Sequence, residues 1–484
     1  MEKIRNYIGG IFTTPYVTNY INNYNPATGE VYTMMPDSTA DDVEIAVQSA
    51  RRAFPMWSST SADERAEWLM KLADKIRENL EKFALAESND NGKPLWMARE
   101  IDIPRAIKNF EFYATAIKHF ASEAHVTDSE AINYTIRHPL GVVAAISPWN
   151  LPLYLLSWKI APALAAGNCV VAKPSEITPM TAYMLSELCI EIGFPEGVLN
   201  IVHGYGNKAG AALVANPGVD AITFTGGTVT GEAIAREAAP KFKKLSLELG
   251  GKNPNIIFED CKYDEMLETT IRSSFSNQGE ICLCGSRIFI ERPLYERFRN
   301  DFVQKVQQLK VGDPLEPDTR IGAIVSKEHY EKILSYIDLA MQEGGRILTG
   351  GNIVSYEQHL SKRCKDGWFI APTIIEGLDH KCRVNQEEIF GPVVTLIPFD
   401  SEEQVVEMAN STKYGLASIL WTENLTRAHK IASQLHSGIV WVNCWMLRDL
   451  RTPFGGIKAS GVGREGGYEA LEFFTEMKNV CVKL

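Results

Sequence analysis

A thiol, a carboxylate and an amide stand in three short motifs of this chain. Cys282 follows a glycine-containing turn in residues 276–288, Glu248 begins a Glu-Leu-Gly-Gly-Lys run, and Asn150 ends Ser-Pro-Trp-Asn. A thiolate can attack a carbonyl carbon, a carboxylate can act as a general base, and an amide N–H can stabilise an oxyanion. Together they are the groups that covalent oxidation of an aldehyde needs.

Each of these groups alone also has an ordinary structural interpretation. An isolated Cys is usually a small buried hydrophobe, and this interpretation suits most of the other eight cysteines. A Glu before Leu-Gly-Gly commonly ends a strand, and a lone Asn commonly belongs to a loop or caps a helix. The chemical interpretation therefore depends on the set of three.

The three motifs, in this order and at these separations, resemble those of the aldehyde dehydrogenase superfamily, and the resemblance covers nearly the whole chain. It implies that Cys282 is the nucleophile and Glu248 the base, with the Asn150 amide and the Cys282 N–H as oxyanion donors. The family usually has Gln where this chain has Glu280. A carboxylate there should raise the pKa of the thiol unless it points away. Cys284 is expected to line the tunnel, and the alternative is reversible sulfur chemistry with Cys282 under oxidation.

Composition and charge exclude several other classes. The 484 residues are 45% hydrophobic and 23% charged, which is typical of a folded protein large enough for two or three domains. A net charge of −11 disfavours nucleic acid or an anionic membrane as partner. Nine cysteines without a C-x-x-C pair, and nine scattered histidines, favour neither disulfides nor a metal site. No secretory signal or membrane span is predicted, so the expected location is the cytoplasm.

Short apolar runs alternate with amphipathic segments, which predicts an α/β fold with parallel sheets. Strands are predicted at 142–146, 170–172, 198–202, 221–224 and 245–247, with helices at 153–166, 180–192 and 209–215. A second α/β unit is predicted after residue 251, with strands at 256–258 and 287–290 around a helix at 263–276. The first hundred residues look mainly helical, with helices at 41–54 and 62–88.

The resemblance implies the aldehyde dehydrogenase fold and a division of the chain. Residues 1–125 and 141–250 would form a variant Rossmann NAD-binding domain, and 251–450 an α/β catalytic domain. Residues 126–140 and 470–484 would form a small β oligomerisation arm. Segments 133–137 and 479–484 alternate like strands that fit neither sheet, and exposed edges of this kind tend to pair with another chain. A homo-oligomer, either dimer or tetramer, is expected.

A dinucleotide site is indicated by a glycine-rich turn, although its G-x-G-x-x-x-G spacing at 204–210 is weak evidence alone. The resemblance implies three further cofactor motifs, which are Lys-Pro-x-Glu at 173–176, Phe-Thr-Gly at 224–226 and Glu-x-Phe at 388–390. In the second motif the family has Ser where this chain has Gly227. A carboxylate at the adenosine ribose would favour NAD over NADP, whereas an isolated K-x-x-E is more commonly a solvated pair. The implied cofactor residues are Ile146, Trp149, Lys173, Glu176, Gly206, Gly210, Phe224, Thr225, Gly226, Glu388 and Phe390.

Two arginines carry the expectation about substrate. By the resemblance, Arg105 and Arg448 occupy tunnel positions that are apolar or aromatic in enzymes for apolar aldehydes. Two desolvated guanidiniums favour a substrate carboxylate, and the alternative is that they pair with Asp102 and Asp449. The chain looks like the branch that oxidises muconic semialdehydes, with the amino-substituted substrate preferred and the hydroxy-substituted one and a general aldehyde left open. The other implied substrate contacts are Leu151, Trp158 and Phe454.

Two functions of other classes are weighed beside this one. A thiol hydrolase would need a His partner for Cys282, and no His lies in these motifs. A purely binding role on a dehydrogenase fold would be indicated by missing catalytic groups, yet all three are present. The prediction is therefore a metal-free, NAD-dependent oxidoreductase acting on a small aldehyde that bears a carboxylate.

Overall fold

The computed structural model describes residues 2–15, 19–352, 354 and 360–484. Within these ranges, no helix is both long and apolar enough to cross a membrane. The strands are β1 Glu2–Lys3, β2 Asn6–Ile8, β3 Ile11–Thr13, β4 Tyr20–Asn25, β5 Glu30–Pro36, β6 Ala124–Thr127, β7 Ala131–Pro139, β8 Val142–Ile146, β9 Cys169–Lys173, β10 Leu199–Ile201, β11 Ala221–Thr225, β12 Lys244–Glu248, β13 Pro254–Ile257, β14 Arg287–Glu291, β15 Arg346–Thr349, β16 Thr373–Glu376, β17 Val393–Phe399, β18 Ala417–Trp421, β19 Ile439–Val442, β20 Gly461–Val462 and β21 Thr475–Lys483.

Helices of three kinds connect these strands. The α-helices are α1 Ala40–Ser58, α2 Ala62–Glu78, α3 Leu80–Asn91, α4 Leu95–Met97, α5 Ile103–Ala116, α6 Pro152–Ala165, α7 Met180–Glu191, α8 Ala211–Ala215, α9 Thr228–Ala238, α10 Tyr263–Phe275, α11 Arg292–Val306, α12 Lys327–Gln342, α13 Arg383–Gln386, α14 Glu402–Asn410, α15 Leu425–Gln434 and α16 Gly467–Phe473. Two π-helices span Ala98–Asp102 and Gly206–Gly210. Short 3-10 turns span Ile117–His119, Ala239–Lys241, Ser276–Gly279, Lys362–Cys364 and Lys458–Ser460.

The first large sheet has eight strands in the order β20-β12-β11-β8-β9-β10-β2-β3. Its five central strands are parallel, and β20, β2 and β3 join antiparallel. Strands β8, β9 and β11 are buried along their whole length, and so is every residue of α6. Continuous apolar strands of this kind need helices on both faces, which is what α6 and its neighbours provide.

The second large sheet has seven strands in the order β15-β16-β17-β14-β13-β18-β19. All neighbours are parallel except β15, which runs antiparallel to β16. It begins with β13, six residues after the end of β12 at Glu248, so the link between the two sheets is short. Helix α10 leads from this sheet into the turn before Cys282.

The third sheet is small and lies apart from both, in the order β21-β7-β6. Strand β21 pairs antiparallel with β7 from Thr475–Pro139 to Lys483–Ala131, and β6 pairs with the other edge of β7. The two alternating segments predicted at 133–137 and 479–484 are therefore partners of each other. Val126, Met477 and Val482 are exposed on these strands.

The prediction for the N-terminal hundred residues is partly wrong. The described residues before 37 contain β1 to β5 rather than helix, with β1, β5 and β4 in a fourth small sheet. These strands are short, and β4 carries three asparagines, so their composition resembles a loop. The helix predicted at 62–88 is interrupted at Asn79, which separates α2 from α3. The predicted domain division stays a prediction, and β20 from beyond residue 450 adds to the first sheet.

Candidate active site

The loop that carries Cys282 is tightly constrained. After α10, Asn277 and Gln278 adopt left-handed backbone conformations at φ 50° and 56°, and Gly279 follows at φ 73°. A Cβ on Gly279 would lie 2.2 Å from the Gly391 carbonyl oxygen, so only glycine permits this approach. Such strain persists only where surrounding contacts hold it, and it is concentrated at functional sites.

Two side chains fix the backbone around the thiol. The Asn253 amide donates to the carbonyls of Cys282 at 2.7 Å and Cys284 at 3.0 Å. The Trp445 indole N–H donates to the Leu283 carbonyl at 3.0 Å. The position of the nucleophile is thus set by contacts that do not involve its own side chain.

Cys282 is half-buried between two pockets of different lining. One pocket is lined by Glu248, Glu465 and the predicted substrate residues Leu151, Trp158, Arg448 and Phe454. The other is lined by Gly251, Lys252, Glu388 and Phe390. We call these the substrate-side pocket and the cofactor-side pocket, after the predicted roles of the residues that line them. Cys284 lines the second pocket, so the prediction that it lines the substrate tunnel is wrong.

Glu248 is the last residue of β12 and shares the substrate-side pocket with Cys282. Its carboxyl is buried, and no described residue forms a hydrogen bond with Oε1. Burial and then the neighbouring Glu465 raise the pKa of Glu248 well above its usual range, against the opposing charges of Lys159, Arg464 and Arg448. Burial and the carboxylates of Glu248 and Glu388 likewise raise the pKa of the Cys282 thiol, while Arg448 opposes the shift.

Asn150 is held beside the nucleophile loop from two directions. Its backbone carbonyl accepts hydrogen bonds from Lys93 at 3.1 Å, Asn277 at 3.1 Å and Asn91 at 3.4 Å. Its side-chain amide donates to the Glu280 carbonyl at 2.9 Å, two residues before Cys282. Because an amide carries two N–H groups, one remains for an oxyanion.

Glu280 points away from the thiol. Its Oε1 accepts the Val325 N–H at 3.2 Å and lies 3.8 Å from the His329 imidazole. Burial raises the pKa of Glu280 well above its usual range. In this orientation the buried Glu280 carboxyl can replace the family's Gln without facing the nucleophile.

Arg105 and Arg448 converge on the same two aromatic residues. The Arg105 guanidinium lies 5.1 Å from the ring centroids of both Tyr154 and Trp158, and Arg448 lies 5.6 Å from Trp158. Arg448 also donates to the Tyr154 hydroxyl at 3.0 Å and lies 4.0 Å from the Phe454 ring. Burial and then the nearby Arg448 lower the pKa of Arg105, with partial compensation from Tyr154.

Neither guanidinium forms an ion pair within the described parts of the chain. Asp102 pairs with Lys93, and Asp449 pairs with Arg451 at 2.6 Å, so the alternative that these acids neutralise the two arginines is wrong. Arg105 donates from Nε to Asn109 at 3.0 Å, while its Nη2 is buried without a partner.

Both arginines line a cavity of about 640 Å³. Leu151, Tyr154, Ile281, Met446 and Arg448 line both this cavity and the pocket beside Cys282 and Glu248. The cavity with the two arginines therefore adjoins the narrow pocket that contains the thiol. An extended anion with a reactive group at its far end matches this arrangement.

The predicted cofactor residues lie at the carboxyl ends of neighbouring parallel strands. Ile146 ends β8, Lys173 ends β9, and Phe224 and Thr225 end β11 with Gly226 directly after them. Ligands of open α/β sheets bind outside this edge. The glycine-rich turn forms the π-helix from Gly206 to Gly210.

The charged groups at this edge fit a dinucleotide. Lys173 is buried and pairs with Glu176 at 2.9 Å, and Glu176 also accepts the Gly206 N–H at 3.3 Å. Burial works against the charged form of Glu176, but Lys173 and these hydrogen bonds lower its pKa overall. Glu176 is therefore an ionised acceptor on a partly open edge. The Thr225 hydroxyl is buried without a hydrogen-bond partner among the described residues, and Thr225 lines the pocket that contains Glu248 and Cys282.

The remaining predicted cofactor residues lie at or near the other pocket. Trp149 and Phe390 meet edge to face with ring centroids 5.2 Å apart, and the His329 imidazole nitrogen lies 2.6 Å from the Phe390 carbonyl. Glu388 accepts the Gly251 N–H at 2.8 Å. A Cβ on Gly250 would lie 2.3 Å from the Glu388 carboxylate, so the bare backbone makes room for this acid.

Several residues of the site were not predicted. Lys93 and Asn91 hold the Asn150 loop, Tyr154 lies between the arginines, and Glu465 lies beside Glu248. Asn91-Gly92-Lys93-Pro94 could have drawn attention as a polar turn after a helix, with Gly92 at φ 84°. Nothing in the sequence indicates that the Lys93 ammonium is buried.

Comparison with known proteins supplies the context for this geometry. The model of the family described as "Aldehyde dehydrogenase family" matches residues 13–480. The 2-aminomuconic semialdehyde dehydrogenase of Bos taurus is 51% identical over 99% of this chain and 98% of its own. The 2-hydroxymuconic semialdehyde dehydrogenase of Pseudomonas sp. (strain CF600) is 47% identical over the whole of both chains.

Solved structures agree with this similarity. A putative aldehyde dehydrogenase from Burkholderia cenocepacia superposes with a TM-score of 0.97 at 41% identity, over 100% of this chain and 98% of that one. An NAD+ complex of an aldehyde dehydrogenase from Bacillus cereus superposes with a TM-score of 0.96 at 39% identity, over 100% of this chain and 97% of that one.

Proposed function

Since this chain belongs to the aldehyde dehydrogenase family, we propose that it oxidises 2-aminomuconate 6-semialdehyde to 2-aminomuconate with NAD. The predicted family, the aldehyde dehydrogenase fold and the enzyme class are confirmed. The substrate assignment rests on Arg105 and Arg448, which form no ion pair among the described residues and line a cavity that adjoins the Cys282 pocket.

The chemistry of the substrate follows from this arrangement. A muconic semialdehyde has an aldehyde at one end of a conjugated chain and a carboxylate at the other. The carboxylate can accept charge-assisted hydrogen bonds from both guanidiniums, and the planar chain can pack on Tyr154 and Trp158. The names of the relatives support the amino-substituted substrate, and the relative from strain CF600 makes the hydroxy-substituted one the second candidate.

The covalent steps are assigned to residues around the Cys282 thiol. The Cys282 thiolate attacks the aldehyde carbon, and the resulting oxyanion accepts hydrogen bonds from the Asn150 amide and the Cys282 N–H. Bound NAD would supply the hydride acceptor, so that oxidation would leave a thioester on Cys282. Glu248 takes a proton from water, the hydroxyl adds to the thioester carbon, and the carbon–sulfur bond breaks to release the carboxylic acid and the Cys282 thiolate. Glu248 then returns its proton to the solvent.

The cofactor assignment rests on the acids and glycines at the strand ends. Lys173 and Glu176 would bind the adenosine ribose, with Gly206, Gly210 and Gly226 at the pyrophosphate. Glu388 would bind the nicotinamide ribose, and Trp149 and Phe390 would flank the ring. The family binds NAD-type cofactors, as in the Bacillus cereus complex, and the preference for NAD over NADP is part of the proposal.

Removal of either tunnel arginine should weaken binding of a carboxylate-bearing aldehyde. A matched pair of test substrates is 6-oxohexanoate, with an aldehyde and a carboxylate at opposite ends of its chain, and hexanal, which lacks the carboxylate. We expect Arg105→Ala and Arg448→Ala each to raise KM for 6-oxohexanoate by about 10- to 150-fold, since a hydrogen bond to a charged group contributes roughly 1.5 to 3 kcal/mol. KM for hexanal should change little in steady-state assays of NADH formation.

Arg451 supplies the control for this comparison. It pairs with Asp449 near the same loop, and its side chain is 79% exposed. Arg451→Ala should leave both KM values unchanged. Equal losses toward the two aldehydes in the Arg105 and Arg448 variants would reject the carboxylate site.

Glu176 should set the cofactor preference. Its ionised carboxylate can accept hydrogen bonds from ribose hydroxyls and repels a 2′-phosphate, so kcat/KM should be higher with NAD than with NADP. Glu176→Gln removes the repulsion of the 2′-phosphate, so the ratio of kcat/KM with NAD to kcat/KM with NADP should decrease. Hexanal serves as the aldehyde in both measurements. Glu237→Gln, at an exposed position on α9, serves as control. A wild-type enzyme that uses both cofactors equally well would contradict this assignment.

The small sheet supports a proposal on assembly. Strands β6, β7 and β21 expose Val126, Met477 and Val482, and monomeric proteins rarely leave such strands uncovered. We propose that they pair with a second copy of the chain in a dimer or tetramer. The cytoplasmic location stays a prediction.

A further inference from the structure

Lys93 lies between the loop that holds Asn150 and the helix that carries Arg105. Its ammonium is fully buried and contacts three acceptors. It pairs with the Asp102 carboxylate, lies 3.4 Å from Glu87, and donates to the Asn150 carbonyl at 3.1 Å. The Lys93 ammonium therefore contacts both the loop that carries Asn150 and Asp102, which precedes Arg105 by three residues.

Local backbone features bring these groups together. Gly92, at φ 84°, ends α3 in a left-handed turn that directs Lys93 inward. Pro104 lacks the N–H that would continue the helical ladder, and the five residues before α5 form a π-helix. In this arrangement Asp102 pairs with Lys93, while Arg105 lies against Tyr154 and Trp158.

Asp102 and Arg105 would otherwise be natural partners. Residues three apart on a helix are neighbours, and oppositely charged side chains at this spacing attract each other. Both residues line the cavity of about 640 Å³, and Arg105 has a buried Nη2 without a partner. What separates them is that the Asp102 carboxylate is bound by Lys93.

We propose that Lys93 is a positioning residue that determines specificity, because it withholds Asp102 from Arg105 and thereby leaves that guanidinium for the substrate carboxylate. The same ammonium holds the Asn150 carbonyl, so it also positions the oxyanion amide. This inference rests on the proposed function, which supplies the carboxylate. Without Lys93, two buried acids would lack their cation. Arg105 follows Asp102 by three residues and forms no ion pair among the described residues.

The test compares Lys93→Met, which keeps the length of the side chain but not its charge, with the wild-type enzyme. We expect KM for 6-oxohexanoate to rise roughly tenfold as Arg105 becomes neutralised, while KM for hexanal changes less than about twofold. We expect kcat to fall by the same factor for both aldehydes, because the Asn150 carbonyl loses its hydrogen bond from Lys93. A purely structural lysine would not separate the two KM values.

A second substitution tests the competition directly. In K93M/D102N the competing carboxylate is gone, so KM for 6-oxohexanoate should return to within about twofold of wild type while kcat stays low. Lys82→Met, at an exposed position on α3, is the matched control and should change neither parameter. Measurements of NAD binding and Tm show whether each variant is folded. If K93M does not fold, K93Q and K93Q/D102N replace K93M and K93M/D102N, with the same expected results.

The outcomes separate this inference from the proposed function. A wild-type enzyme without preference for 6-oxohexanoate over hexanal would overturn both. A wild-type enzyme with the preference, together with a K93M variant that keeps it, would overturn only the role of Lys93. A double variant whose KM stays as high as that of K93M would also overturn it.

Discussion

Replacement of Cys282 by alanine is expected to reduce kcat for aldehyde-dependent NADH formation by at least about 10⁴-fold, because loss of a covalent nucleophile removes the reaction path itself. The cofactor site should remain intact. The loop backbone is held by Asn253 and Trp445 rather than by the thiol, so the substitution removes little else. Steady-state kinetics and fluorescence titration with NAD measure the two parts of this prediction.

Cys284 provides the matched control. It lies two residues away on the same loop, is buried, and faces the cofactor-side pocket. Cys284→Ala should retain most of the activity. Turnover in Cys282→Ala comparable with that of Cys284→Ala would refute the covalent mechanism.

We also expect a large loss of steady-state activity for Glu248→Ala, but at a different step from the one lost in Cys282→Ala. Only release of the acid needs the base, so the variant should form one NADH per active site in a rapid burst. Steady-state kcat should then fall by roughly 10² to 10⁴-fold, the range typical for loss of a general base. Stopped-flow absorbance should show the burst, and intact-protein mass spectrometry should detect the thioester on Cys282.

Glu280→Gln is the control for this prediction. Glu280 is also a buried acid close to the nucleophile in sequence, but its carboxyl faces Val325 and His329. The control should turn over without accumulating a thioester. A Glu248→Ala variant with neither a burst nor a trapped acyl group would argue that Glu248 is not the deacylation base.

Much of the central fold could be predicted because its signals are local. The strands around Val143, Val170 and Ile222 are short β-branched runs with helices between them, and such runs have few alternatives in a buried parallel sheet. The N-terminal strands could not be predicted because residues such as Asn22 and Asn23 do not resemble a strand. Contacts with distant residues stabilise them, for example the hydrogen bond that the Asn23 amide donates to Asp90. Local propensity fails where tertiary contacts decide.

The same distinction applies to the site. Motifs in the sequence predict Cys282, Glu248 and Asn150 as site residues. Whether Asp102 forms an ion pair with Arg105 or with Lys93 depends on the fold, because Lys93 reaches Asp102 only after the chain turns at Gly92. The spacing of Asp102 and Arg105 in the sequence is compatible both with an ion pair between them and with an Arg105 that is free to bind a substrate carboxylate. The raised pKa values of Glu248 and Cys282 come mainly from burial, which no residue pattern reveals.

The most direct test of the account is the ratio of kcat/KM for 6-oxohexanoate to that for hexanal, measured with the wild-type enzyme and saturating NAD. If Arg105 and Arg448 bind the far carboxylate while Cys282 attacks the aldehyde, the ratio should exceed about tenfold, as expected for at least one charged hydrogen bond. A ratio near one would contradict the account, because two unpaired arginines in the adjoining cavity would then contribute nothing to the choice of substrate.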